Sequence, residues 1–340
     1  MVDYKVTVCC ITFNQKEFIA RALNGFVMQK TDFPFQVLVG DDASTDGTTE
    51  IVREYAEKYP DIIKPVFHEK NIGPFKNSLS LYQKAKTEYV ALCDGDDYWT
   101  DEKKLQKQVD FLDARPDFSV CFHPVTIHWN DNSRPDIVFP SERERFYKTE
   151  LFLDDLLKRN FIQTNSVMFR WRFKTERISD YLNREIAPGD YYIDLLHAQT
   201  GKIAFLPDIM AVYCRNRCGI WQDAGVSAEW FIRYGTKMVC CYAKIQETFG
   251  KDCKEELDEI SLLTYINLKE TGSEEKIKEL YSVYSPPLNL LHYSFLKYVF
   301  YSVFSRFCFG RLRKRMKDTR NFLKQIIKIL KKRRKTCLTK

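Results

Sequence analysis

Three carboxylates crowd the tetrapeptide Asp94-Gly95-Asp96-Asp97, which closes the apolar run EYVALC at 88–93. Carboxylates a few ångströms apart repel and raise one another's pKa unless a cation sits among them. Their hard oxygens suit Mg²⁺ or Mn²⁺, and such an ion bridges the phosphates of a nucleotide. Two other polar segments follow apolar runs in the same way: Thr12-Phe13-Asn14-Gln15, and Gly40-Asp41-Asp42-Ala43-Ser44-Thr45-Asp46-Gly47-Thr48. Each alone reads as a solvated turn, and what turns them into a candidate site is where the chain must bring them.

The runs 4–11, 35–39, 62–67 and 88–93 have the length and β-branched content of buried strands. Between them lie amphipathic stretches of helical period. The first opens with Asn14 and Glu17 at capping-box spacing and runs to about residue 29, with Phe18, Ala22, Leu23 and Phe26 facing inward. The others cover 49–59 and 75–86. This alternation predicts an α/β fold: βαβ units in a mostly parallel, Rossmann-like sheet flanked by helices. Ligands bind such sheets beyond the carboxyl ends of the strands, and the polar turns at Thr12, Asp42 and Asp94 fall at those ends. No Gly-x-Gly-x-x-Gly and no Walker sequence is present, so phosphate would be held through a metal instead of a glycine cradle.

In the second half, 101–115 reads as a helix with Leu105, Val109 and Leu112 inward, and 118–129 as one long strand. A helix at 149–158 and a strand at 166–169 follow. Ala187-Pro188-Gly189-Asp190 opens a helix to about 200, strands cover 202–205 and 209–213, a loop runs from 214 to 223, and the pattern is helical beyond 227.

Composition is that of a globular chain, 44% hydrophobic and 29% charged. The 11 cysteines are irregularly spaced, and Cys9, Cys10, Cys93 and Cys121 fall inside the strand runs as small buried hydrophobes do. That usage favours a reducing cytoplasm over a disulfide framework. Cys214, Cys218, Cys240 and Cys241 match no paired zinc-ligand spacing. The net charge of +7 is concentrated in residues 306–340, which carry 15 Lys and Arg against one acid, Asp318. The body is therefore acidic, which argues against nucleic acid as a partner. Met1-Val-Asp-Tyr-Lys does not read as a signal peptide. The aromatic stretch 288–309 is interrupted by Lys297 and Arg306, too soon for a membrane span, and is followed by basic clusters. It reads as an amphipathic helix on an anionic membrane surface.

Four pieces in order, TFNQ, DDASTDGT, NIG and DGDD, resemble the family 2 glycosyltransferases of GT-A fold, of the bacterial polysaccharide and cell-envelope type. A fifth, GDYYIDLLHAQTGKIAFLPDIMAVY, resembles a second-half segment of bacterial members. The resemblance covers about residues 5–221. It implies that Thr12, Phe13 (where the family usually has tyrosine) and Asn14 meet the nucleotide, and that Asp42 pairs with the base. In the family that base is usually uracil, so the resemblance implies a UDP-sugar donor, and the chemistry agrees, since a carboxylate accepts from uracil N3–H whereas adenine offers no such ring donor. Gly73 and Asn77 match a segment lining the nucleotide-sugar pocket, and Asp94, Gly95 and Asp96 match the DxD motif that holds donor and metal. Asp190 matches the catalytic base of an inverting transfer, with Asp194, expected to face solvent or support the site, as its alternate. Asn216 stands where bacterial members often carry a metal-binding histidine. Arg215 and Arg217 are candidates to clamp phosphate, and Thr164 and Trp221 to meet the acceptor.

The implied organisation is a transferase domain over 1–226, with a nucleotide-sugar half to about 100 and an acceptor half from about 101. A helical extension follows at 227–285 and a membrane-surface tail at 286–340. The implied partners are a nucleotide-sugar, a glycan or lipid-linked glycan acceptor, Mn²⁺ or Mg²⁺, and the inner face of the cell membrane. Two other readings stay open: a sugar nucleotidyltransferase, which would want a glycine-rich N-terminal loop, and a non-catalytic membrane-recruiting module that keeps only the fold.

Overall fold

The computed structural model describes residues 2–141, 150–216, 219 and 227–287. Its first half follows the predicted alternation: β1 (Val6–Thr12), α1 (Lys16–Val27), β2 (Phe35–Asp41), α2 (Thr48–Lys58), β3 (Ile63–Phe67), α3 (Pro74–Lys84) and β4 (Tyr89–Leu92). The second half supplies β5 (Tyr98–Trp99), α4 (Lys104–Ala114), β6 (Phe118–Phe122), β7 (Val125–Trp129), β8 (Ile137–Phe139) and β9 (Glu150–Leu151). It continues with α5 (Leu153–Lys158), β10 (Met168–Arg170), α6 (Gly189–Ala198), β11 (Lys202–Phe205) and β12 (Ala211–Arg215). A π-turn, Phe231–Gly235, leads into α7 (Thr236–Phe249), and α8 (Lys254–Glu270) and α9 (Glu274–Val283) complete the described chain.

Eight strands form one sheet in the order β3-β2-β1-β4-β10-β6-β11-β9. The four N-terminal strands are parallel, β10 runs antiparallel between β4 and β6, and β11 lies parallel to β6. Side chains alternate across the strands, so one sequence run feeds two cores. Val8, Cys10, Val37, Val39 and Ala91 pack with α1, α2 and α4, while Cys9, Leu38, Val90 and Leu92 pack with α3 and α6.

Several expectations are corrected. The long strand 118–129 is two strands in different sheets: β6 joins the main sheet and β7 a second one, ordered β5-β12-β7-β8. Pro124 lies at the break, where a residue without an N–H cannot continue the ladder. The capping box is not formed. Asn14 adopts a left-handed φ of 50° and its side chain accepts from Thr45 N–H, while α1 starts two residues later. Phe18 is only partly buried, and Ile19 takes its core place. Residues 227–285 belong to the same compact unit as the sheet, Met1–Ser285. A second unit begins at Pro286, and the tail reading from 288 onward lies outside the described residues. Among those described, no helix is long and apolar enough to cross a membrane.

Helix α4 buries Leu105, Val109 and Leu112 as expected, and also Lys104, which periodicity did not reveal. The Lys104 ammonium donates to Gln108 Oε1 at 2.6 Å and lies 4.2 Å from the Trp99 ring centroid. Burial pushes its pKa down to about 7. Between about pH 7 and its ordinary 10.5 the unfolded chain holds a proton that the native one has shed, so this residue makes stability rise with pH in that window. Lys104→Met is therefore expected to be more stable at pH 7, by on the order of 2 kcal/mol. The gain should shrink toward pH 10, as read by denaturant melts of both proteins across that range.

Candidate active site

The acidic turn is an extension of the β1–β4 ladder. Cys93 N–H donates to Cys9 O at 3.2 Å and Gly95 N–H to Ile11 O at 2.9 Å, and Asp97 N–H closes the turn on Asp94 O. Position 95 admits no side chain. A Cβ there would lie 2.7 Å from Gln15 Oε1 and 2.9 Å from Thr12 Cβ. Thr12 in turn donates its hydroxyl to Gln15 Oε1 at 2.9 Å, and the Gln15 side chain also hydrogen-bonds Asp96. Gln15 is thus a site residue that sequence reasoning passed over. Its only signal was its place directly after Thr12-Phe13-Asn14.

The three carboxylates have different surroundings. Asp97 is buried and accepts the Cys214 N–H at 2.8 Å, tying the turn to β12. Asp96 Oδ2 accepts the side-chain N–H of Asn216 at 2.7 Å. Asp94 makes no side-chain hydrogen bond among the described residues. Burial first, then the charges of Asp96 and Asp190, hold its pKa well above the carboxylate range. Burial likewise raises Asp97 and, against the Asn216 hydrogen bond, Asp96. Like charges that have lost water and found no cation resist ionising, and this is the condition a bound cation relieves.

Among the described residues no three His, Cys, Asp or Glu side chains are grouped to hold a metal. The donor set of Asp94 and Asp96 still fits Mg²⁺ or Mn²⁺, which take one or two carboxylates and complete their shell with phosphate oxygens and water. Asn216 turns an amide N–H toward Asp96 and so orients that carboxylate.

Asp190 sits in the first turn of α6, and both its oxygens are engaged. The Thr164 hydroxyl donates to Oδ2 at 2.7 Å and Tyr191 N–H to Oδ1 at 2.8 Å. Asp94, Thr164 and Asp190 line one cavity of about 130 Å³. Asp194, one turn further along α6, is 3% exposed, which corrects the solvent-facing alternative. Burial and the Asp190 charge push its pKa well up.

On the other side of β1, Asp42 uses one oxygen for Ile72 N–H at 2.7 Å and the other for Gly73 N–H at 2.8 Å. It pins the turn that starts α3, and each oxygen keeps a further lone pair. Neighbouring Asp41 accepts the hydroxyls of Ser44 and Thr49. Gly73 has a φ of 86° and open space where a Cβ would stand, while Phe13 is exposed. Asn77 is buried: its amide donates to Gly40 O at 2.8 Å and its oxygen meets His68 Nε2 at 3.0 Å. Arg215 is exposed at the end of β12, with its guanidinium 6.0 Å from the Tyr213 ring centroid. Arg217 and Trp221 lie outside the described residues. The local geometry around Gly95 yields a direct expectation. Gly95→Ala should lose about 1–3 kcal/mol of stability and displace Thr12 and Gln15, read by thermal melts and by the NMR shift of the Thr12 amide.

The family model described as glycosyl transferase family 2 matches residues 7–175. An uncharacterized protein of Mycobacterium tuberculosis is 44% identical over 219 residues, 64% of this chain and 61% of that one. TuaG of Bacillus subtilis, provisionally named a teichuronic acid biosynthesis glycosyltransferase, is 29% identical over 170 residues, covering 49% of this chain and 64% of its own. The chain thus spans less than two thirds of the length of these relatives. Among solved structures, S. aureus TarS 1-349 in complex with UDP-GlcNAc aligns at a TM-score of 0.53 and 23% identity, over 78% of this chain and 72% of its own. The mannosyltransferase PcManGT of Pyrobaculum calidifontis, in complex with GDP-Man and Mn²⁺, aligns at 0.51 and 19% identity, over 89% and 82%. These likenesses carry the fold. Through residues 7–175, about half its length, the chain belongs to glycosyl transferase family 2, and its α/β sheet is that of the GT-A glycosyltransferases.

Proposed function

We propose that the protein transfers a sugar from a UDP-sugar to a hydroxyl of a glycan or lipid-linked glycan, with inversion, in the assembly of a bacterial envelope polysaccharide. The observation that carries this reading is the cavity shared by Asp94 and Asp190. One carboxylate there is free to meet the donor, and the other is oriented by Thr164. The name of TuaG supports the acceptor class, and the sugar nucleotides bound by TarS and PcManGT support a nucleotide-sugar donor.

In this reading Asp42 accepts uracil N3–H on a lone pair left free by the 72–73 turn, beside Thr12, Phe13 and Gly73. Asp94 and Asp96 hold a Mn²⁺ or Mg²⁺ ion, and when bound that ion neutralises the leaving diphosphate. Asp190 takes the proton of the acceptor hydroxyl as its oxygen attacks the anomeric carbon from the face opposite the leaving group. A free lone pair on each Asp190 oxygen is available for that proton, since Thr164 and Tyr191 occupy only one apiece. The basic and aromatic composition of 286–340 supports attachment to the cytoplasmic face of the membrane.

Calorimetry of the full chain with Mn²⁺ is expected to show UDP bound in preference to GDP, with binding lost in Asp96→Ala. GDP bound in place of UDP would overturn the donor assignment. Asp190→Asn should keep UDP-sugar affinity within about threefold and lower kcat by roughly 10²–10⁴-fold, as expected for a lost general base. UDP release with an accepted glycan measures it.

A further inference from the structure

The cavity beside Asp94 and Asp190 is walled mostly by apolar side chains. Beyond the two carboxylates and Thr164, its walls include Ile11 from β1 and Leu79 and Tyr82 from α3, with Leu182 and Ile186 opposite. A hexose hydroxyl turned into such a space would lose water and gain few partners. Only two hydroxyls break the apolar wall on the α3 side, Ser78 and Tyr82. Neither has a hydrogen-bond partner among the described residues, although Tyr82 is 8% exposed. Burial holds the Tyr82 phenol well above its ordinary pKa, so it stays a donor. Lys237, at the far side, is already paired with Glu185 at 2.6 Å.

We infer that this cavity is a specificity pocket for an N-acyl group on the transferred sugar. The inference rests on the donor reading above, since it takes Asp94 to face the donor. An N-acyl group carries one carbonyl acceptor for a waiting hydroxyl and one methyl for the apolar wall. A volume of about 130 Å³ suits it: an enclosed space of ~150 Å³ takes a benzene-sized group, whereas whole drug-sized ligands need roughly 300 Å³ or more. Ile11, Ser78 and Tyr82 come from β1 and α3 and put one wall of the pocket on the donor side. The ends of these same elements carry Thr12 and Gly73 of the nucleotide side. In the proposed reading the acceptor meets Asp190 across the cavity from that wall.

The test is calorimetry of the full chain in Mn²⁺ with UDP, UDP-glucose and UDP-N-acetylglucosamine, on wild type, Tyr82→Phe and Ser78→Leu. UDP, which has no sugar, reports the integrity of the nucleotide site in each protein. Wild type is expected to bind the N-acetyl donor at least ~10-fold tighter than the glucose donor, the scale on which a pocket senses small groups. Tyr82→Phe should narrow that ratio by removing the hydroxyl, and Ser78→Leu should abolish it by filling the space. UDP bound normally with equal affinity for the two sugars would overturn the pocket and leave the donor site standing. So would a preference that survives in both variants. Failure of wild type to bind UDP at all would overturn the donor reading and this inference with it.

Discussion

The structure depends on a concentration of negative charge that its own fold does not neutralise. Asp94, Asp96 and Asp97 leave the end of β4 within one turn, and burial lifts the pKa of each. An ordinary surface turn would let these carboxylates splay into water. Here Gly95 is pressed against Thr12 and Gln15, and Asp97 is bound to the backbone of Cys214, so the turn cannot open. Such crowding is relieved either by protonation, as the raised pKa values express, or by a cation bound among the carboxylates. That requirement singles the turn out from the other polar loops at the same sheet edge.

The remaining architecture holds other groups at a fixed distance from that charge. Strand β10 inserts antiparallel between β4 and β6, and just before it Thr164 and Asn165 bridge the two halves. Asn165 accepts Trp99 Nε1–H and donates to Val212 O, which joins β5 and β12 behind the turn. Thr164 reaches the other way, to Asp190 at the start of α6. Helix α6 is steadied from behind, where the Tyr192 hydroxyl meets Thr248 of α7 and Ala187 N–H donates to Lys237 O. The helices after residue 227 therefore buttress the segment that carries Asp190. For that reason they fall within one compact unit with the sheet.

The first half of this arrangement was legible in the sequence because local signals suffice there. Continuous β-branched runs, amphipathic helices and three polar turns at strand ends define βαβ units without knowledge of distant contacts. The second half was less so. The break at Pro124 sends β7 to a different sheet, and strands of two or three residues such as β5 and β9 exist only through their partners. Polar residues misled for the same reason. Lys104 and Asp194 have the spacing of solvent-facing positions yet are buried. Asn77, read as a pocket residue, is buried on α3 and holds the Gly40 backbone of β2, where a Cβ would come within 2.2 Å of its oxygen. The pairing of Thr164 with Asp190 joins residues 26 apart through tertiary packing alone.

In the proposed function the acidic turn is completed by a divalent cation that arrives with a nucleotide diphosphate. The most direct measurement is anomalous diffraction from crystals of the full chain grown with UDP and Mn²⁺. A manganese peak is expected in contact with the Asp96 carboxylate and the diphosphate, with Asp94 beside it, and is expected to be lost in Asp96→Ala. UDP bound in the crevice with no manganese at the turn, or manganese held only elsewhere, would contradict it.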